Sequence, residues 1–516
     1  MSARPEEASC DLRVHARRWP DKAAFTMAGT GESVGFAALE AQANRGAHLL
    51  RRAGVGPGDH IAILMENRRE FLEICFAADR AGIYYTTIGT HLTAPEIAYI
   101  LHDCGAVLLV LSERFADRLA GLGGGPALYA VGADLPGCRR WEAALADCPA
   151  APIADEAQGL DMLYSSGTTG RPKGVKWALT GAPPGQRSML VDLLSGLFGY
   201  SAQTRYLCPA PLYHAAPLRH TMVTIRMGGS AVIMEKFDAL GALGLIERYR
   251  ITHSQWVPTM FVRMLKLGEA ERTRFDLASM QMAVHAAAPC PIEVKRAMID
   301  WWGPILHEYY AGTENNGFAA LDTAEWLAHP GSVGRARLGV LHICDAHGEE
   351  LPVGAEGEVY FENGHQFEYH NAPEKTEAAR NAKGWTTLGD IGRLDAEGYL
   401  YLTDRKSFVI ITGGVNVYPQ ETENVLVAHP AVLDAAVFGL PHSEFGEEVK
   451  AVVQLVDPEA ASDALAEALL QFCRARLSAI KCPRSLDFRE QLPREANGKL
   501  FKRRLREEYL SDGDRG

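Results

Sequence analysis

The 516-residue chain lacks several features that would have settled its class early. No stretch approaches the about 18 consecutive apolar residues that a membrane-spanning helix needs, so no such helix is expected. The start, Met1 to Cys10, is acidic and has no apolar centre, unlike a secretory signal. The ten cysteines are scattered singly and none forms a C-x-x-C pair. That spacing argues against a zinc site and for a cytoplasmic chain with reduced thiols. Positive charge is in deficit, with a net charge of −12, which argues against a nucleic-acid partner. There is no repeat with a period of 20 to 50 residues and no low-complexity linker.

What remains is an ordinary globular composition, 47% hydrophobic and 22% charged, with chain enough for about three domains. Apolar residues at helical spacing predict a helix from Phe36 to Ala53, stopped by the Gly54–Gly58 turn. His60–Met65 and Ala106–Ser112 read as short buried strands, with helices at Arg69–Ala81 and Glu113–Leu122 between and after them. The rhythm returns at Ala231–Met234 with Ala239–Tyr249, and at Gln281–His285 with Ile292–Trp302. Strands alternating with helices predict an α/β fold of mostly parallel sheets covered by helices. Near residue 340 the texture becomes antiparallel: Val340–Cys344, Gly357–Phe361 and a hairpin over Ile391–Leu402 suggest a barrel-like subdomain. After Arg405 a smaller α+β unit follows, with helices at Pro419–His429 and Asp463–Ser478 and strands at Asp434–Leu440 and Lys450–Leu455. The expected division is 1–404, a hinge at 405–408, and a small mobile domain at 409–516.

Three segments carry chemistry. Tyr164-Ser-Ser-Gly-Thr-Thr-Gly-Arg-Pro-Lys-Gly174 packs four serine and threonine hydroxyls and three glycines into eleven residues, with a lysine near its end. Glycines let backbone N–H groups crowd around an anion, hydroxyls add donors, and lysine supplies a point charge for phosphate. The order of residues is not that of a Walker loop. The alternative is a flexible surface turn. His307 to Asn316 reads as a strand that ends in a polar loop, where open α/β sheets bind ligands. There Tyr310 can stack on a base, Thr313 can donate to phosphate and Glu314 can hold Mg²⁺ through oxygen. In Trp385–Asp390 the aspartate can accept from ribose hydroxyls.

Together these segments resemble the adenylate-forming superfamily of acyl- and aryl-CoA synthetases, peptide-synthetase adenylation domains and luciferases, in order over nearly the whole chain. The first matches the family signature at every position, and Tyr310-Ala-Gly-Thr-Glu314 matches Y-G-x-T-E except at Ala311. The resemblance implies a nucleotide site of Ser165, Ser166, Gly167, Thr168, Thr169, Gly170, Lys173, Tyr310, Thr313, Asp390 and Arg405, with Glu314 as the metal residue. It implies catalytic roles for Lys499, in Leu492-Pro-Arg-Glu-Ala-Asn-Gly-Lys499, for Glu314, and for His214, in Pro211-Leu-Tyr-His214, as the carboxylate gate. The acyl pocket falls by position on His214, Trp256, Val257, Met260, Ala286 and Ala287. For Trp256 and Met260 core packing is the alternative. Gly413 and Gly414 would line the pantetheine tunnel and Ser407 would be the hinge.

The implied activity is an ATP-dependent ligase that joins a hydrophobic carboxylic acid to CoA through an acyl-adenylate, with ATP, Mg²⁺ and CoA as cofactors. The alternatives are transfer to a carrier-protein phosphopantetheine, competence in only one half-reaction, or a non-catalytic nucleotide-binding relative. Assembly is left open, a homodimer being one expectation. Three departures from the family pattern stand out: Ser407 at the hinge, Ala311, and the alanines of His285-Ala-Ala-Ala-Pro289, which should narrow the channel.

Overall fold

The computed structural model describes residues 9–122, 125–165, 172–442, 444–494 and 500–513. The chain divides into two compact units. The first comprises residues 1–255, 275–283 and 367–376, and the second 256–274, 284–366 and 377–516.

In the first unit a six-stranded sheet is parallel throughout. Its order is Arg139–Arg140, Ala127–Val131, Ala106–Ser112, His60–Leu64, Tyr84–Thr87 and Leu160–Asp161. Ile61, Ala62, Ile63 and Leu64 are all fully buried, as expected of a parallel strand covered on both faces. The helices Phe36–Arg52 and Arg69–Arg80 stop within a residue of their sequence expectation. A second set of parallel strands runs Arg205–Cys208, Ser230–Ile233 and Ala23–Met27, with Ser33–Gly35 antiparallel at its edge. Glu113–Gly121 departs from the α-helix read in the sequence: it is a 3₁₀ segment broken at Phe115 (φ −109°, ψ 23°). Phe115 and Leu119 pack on the core of Ile97, Leu101 and Leu109, and that packing decides the local backbone over propensity.

The second unit holds an antiparallel set, Leu306–Tyr310, Phe318–Leu321 and Arg335–Leu338. It also holds a four-stranded antiparallel sheet of Val340–Cys344, Gly357–Glu362, Thr386–Leu394 and Leu400–Arg405. Beyond Arg405 the long hairpin Val432–His442 and Gly446–Leu455 takes the parallel strand Ser485–Phe488 on one edge. Helices Pro419–Ala428 and Asp463–Arg474 cover it through Leu426, Leu469 and Cys473. The second helix is shorter than the sequence suggested. It ends at Arg474 because the chain turns there to bring Leu477 back onto the same core. Among the described residues no helix is long and apolar enough to cross a membrane, and all ten cysteines are free thiols.

Candidate functional site

In the first unit the hydroxyl-rich segment is framed by an antiparallel pair, Leu163–Ser165 and Lys173–Lys176, in which Ser165 lies opposite Lys173. Gly174 packs closely there: a Cβ would lie 2.7 Å from Met162 Cε, which would have to shift. The Lys173 ammonium sits 4.6 Å from the centre of the Tyr369 ring. Ser166, Gly167, Thr168, Thr169 and Gly170 lie outside the described residues, as does Lys499. His214 is the N-cap residue of helix Ala215–Arg226, and its ring packs 4.5 Å from that of Tyr213.

The second unit contains a cavity whose lining includes Ala287, Glu308–Gly312, Leu388, Asp390 and Arg405. Strand Leu306–Tyr310 delivers Tyr310 to it, and strand Thr386–Leu394 delivers Asp390. The Tyr310 hydroxyl donates to Asp390 Oδ2 at 2.6 Å, and Arg405 Nε lies 3.1 Å from Asp390 Oδ1. Burial, reinforced by the neighbouring Asp390 carboxylate, pushes the Tyr310 hydroxyl well above its ordinary pKa, so it stays a donor. Asp390 is 6% exposed, and its two oxygens are held by different partners from different strands. A carboxylate fixed in that way can accept from a vicinal diol.

Glu314 is 6% exposed, in a turn in which Asn315 N–H donates to the Gly312 carbonyl at 3.1 Å and Asn315 takes φ +50°. A Cβ at Gly312 would meet Leu388 Cδ1 at 2.4 Å and Glu314 Oε2 at 2.7 Å, so a side chain there would displace this carboxylate or Leu388. Among the described residues no three His, Cys, Asp or Glu side chains converge as a metal cage. A single buried carboxylate does fit Mg²⁺, which is held by one or two carboxylates with substrate phosphates completing its shell.

The residues read as an acyl pocket separate. Ala287 lines the cavity, whereas Trp256, Val257, Met260 and Ala286 are not part of its wall. Trp256 is fully buried, with its ring edge-on to Trp302 at 5.6 Å. Pro258, Thr259 and Val262, from the same helix as Met260, face the cavity instead. Ala287 takes φ +76°, a conformation that favours glycine. Ala311 has no such backbone demand, so its methyl group is accommodated. Gly413 (φ +55°) and Gly414 (φ +77°) form the two-residue turn between Ile410–Thr412 and Val415–Val417, which requires positive φ at both positions. Ser407 is exposed in a 3₁₀ turn, Lys406–Phe408.

Sequence reasoning missed several charged residues around the cavity. Lys295 and Glu308 form a buried ion pair at 2.6 Å, and Glu423 pairs with Lys502 at 2.8 Å. Arg494 forks onto Asp434, with Nη2 to Oδ1 at 2.6 Å. Glu308 and Arg494 fall inside the His307–Asn316 and Leu492–Lys499 segments without a motif role, and no motif marks the other four. Asp434 stands out as a charge within the apolar run Val432–Phe438, whereas Glu423 and Lys502 sit among other polar residues and give no local signal.

Residues 12–368 match the AMP-binding enzyme family, and residues 421–499 match the AMP-binding enzyme C-terminal domain. The chain therefore belongs to the AMP-binding enzyme family. It is 32% identical to a long-chain-fatty-acid–CoA ligase of Mycobacterium tuberculosis over 96% of this chain and 97% of that one. It is also 32% identical to a feruloyl-CoA synthase of an Amycolatopsis species, with the same coverage of 96% and 97%. Among solved structures, ATP-bound MatB from Rhodopseudomonas palustris superposes with a TM-score of 0.79 at 29% identity, over 97% of this chain and 99% of that one.

Proposed function

We propose that this ATP-dependent acyl-CoA ligase activates a hydrophobic carboxylic acid in the cytoplasm and passes the acyl group to CoA. The observation that carries the reading is the Tyr310–Asp390–Arg405 constellation on one cavity wall, in a chain of the AMP-binding enzyme family. In the first step a carboxylate oxygen attacks the α-phosphorus of ATP and the bond to the β-phosphate oxygen breaks, releasing pyrophosphate. In the second a thiolate sulfur attacks the acyl carbon, the bond to AMP breaks, and AMP leaves.

The obstacle in the first step is repulsion between two anions. Lys499 is assigned to bridge carboxylate and α-phosphate, since a long-stemmed ammonium can reach both. Ser165, Ser166, Gly167, Thr168, Thr169, Gly170 and Lys173 are assigned to the phosphates, with Thr313 a further donor. Asp390 would hold the ribose hydroxyls, its position fixed by Tyr310 and Arg405. Mg²⁺ on Glu314 would neutralise phosphate charge when bound. His214 is assigned to the carboxylate entrance. Residues 409–516 would turn about 405–408 between the steps, bringing Gly413 and Gly414 to the pantetheine arm.

The test is ATP–pyrophosphate exchange over a panel of fatty and aromatic acids, followed by acyl transfer to CoA or to a phosphopantetheinylated carrier protein. Acid-dependent exchange with transfer to CoA supports the reading. Exchange with transfer only to the carrier protein replaces the acceptor, and no exchange with any acid overturns adenylation.

A further inference from the structure

Helix Pro419–Ala428 is held at both ends by charges from outside it. Its N-cap residue, Tyr418, makes no side-chain capping bond, and Pro419 at the first position has no N–H. The free amide of Gln420 donates instead to Asp404 Oδ2 at 3.0 Å, and Arg405 N–H occupies Asp404 Oδ1 at 2.7 Å. At the other end Lys266 Nζ donates to the carbonyls of His429 and Pro430, each at 3.3 Å. A carboxylate at the N-terminus and an ammonium at the C-terminus both complement the helix dipole. Asp404 lies before the 405–408 hinge, and Lys266 is more than 130 residues earlier still, so neither would move with residues 409–516.

This helix presents Gln420, Glu423, Asn424 and Val427 to the nucleotide cavity, the i, i+3, i+4, i+7 positions of one face. Through Glu423 it also holds Lys502. Arg494 and Leu500, which flank Lys499 in sequence, form a β-bridge and line the same cavity.

We propose that Asp404 and Lys266 are positioning residues for adenylation: a two-ended latch that holds helix Pro419–Ala428 against the cavity for the first half-reaction and lets go for the second. The inference rests on the assignment of Lys499 to the first step. A pair of charges that merely stabilised the helix would serve both steps alike, whereas a latch serves one.

The experiment compares Asp404→Ala, Lys266→Met and Lys266→Arg, using the panel acid that the wild type activates fastest. Adenylation is followed by pyrophosphate exchange, and acyl transfer by supplying pre-made acyl-adenylate and CoA. Asp404→Ala and Lys266→Met should each lower the exchange kcat by about tenfold, the size of one partly buried helix-end charge. KM for ATP should change by less than about twofold. Acyl transfer should be unchanged or faster, and Lys266→Arg should retain exchange. Equal loss in both half-reactions, or unchanged exchange, overturns the latch. Lys499→Ala run alongside separates the two ideas. If it keeps exchange, the assignment of Lys499 falls. If it loses exchange while the latch variants keep it, the latch alone falls.

Discussion

Glu314 and Ala287 show two ways in which one residue carries a functional statement. Glu314 is a nearly buried carboxylate that fits the metal role, beside a glycine whose Cβ would crowd it. Glu314→Gln keeps its volume and removes its charge. Pyrophosphate exchange should fall by at least about 10²-fold, as for a lost electrostatic stabiliser, while the thermal midpoint stays within a few degrees. Unchanged exchange would remove Glu314 from the site. Ala287 holds φ +76° on the cavity wall at a cost that glycine avoids. Ala287→Gly should raise unfolding stability by roughly 1 kcal/mol, read as a shift in denaturant midpoint at constant slope. A lowered midpoint would mean that the methyl group's packing outweighs the strain.

At the scale of elements, the hairpin that frames the hydroxyl-rich segment is buttressed by a histidine. Lys176, on its second strand, lies 3.1 Å from His60 Nε2, and His60 stacks on Tyr84. Burial, with help from Lys176 and His370, lowers the His60 pKa to about 4. The sign follows: neutral His60 suits the folded state, so its contribution is complete above the unfolded pKa of about 6.5 and is lost as pH falls towards 4. That loss is at most about 3 kcal/mol. Urea midpoints measured from pH 7.5 to 4.5 should fall less steeply in His60→Gln than in the wild type. Parallel slopes would assign the acid sensitivity to other buried histidines such as His220 and His253, which are also lowered. The sequence placed most strands and helices within a residue or two, because their apolar periodicity is local. It missed the break at Phe115, which is set by packing against Ile97 and Leu101.

At the scale of the whole molecule, the assigned cycle needs residues 409–516 to take two orientations about an exposed 3₁₀ turn. Proline at Ser407 fixes its φ and pushes Lys406 towards extended conformations. Ser407→Pro should therefore slow thioester formation more than adenylation, in the opposite sense to the latch variants. Equal effects on both steps would move the pivot elsewhere.

The sequence by itself determined the family and the α/β class, and it singled out Tyr310, Asp390, Arg405 and Glu314 as candidates, because these reside in short contiguous motifs. Tertiary structure alone decided what those motifs lean on. The Tyr310–Asp390 hydrogen bond joins residues 80 apart and the Lys266–His429 contact residues 163 apart. Burial of Trp256 away from the cavity wall and the left-handed backbone at Ala287 are likewise invisible to local pattern. Propensity and periodicity act over a turn or a strand, whereas a charge is positioned by whatever the fold brings against it.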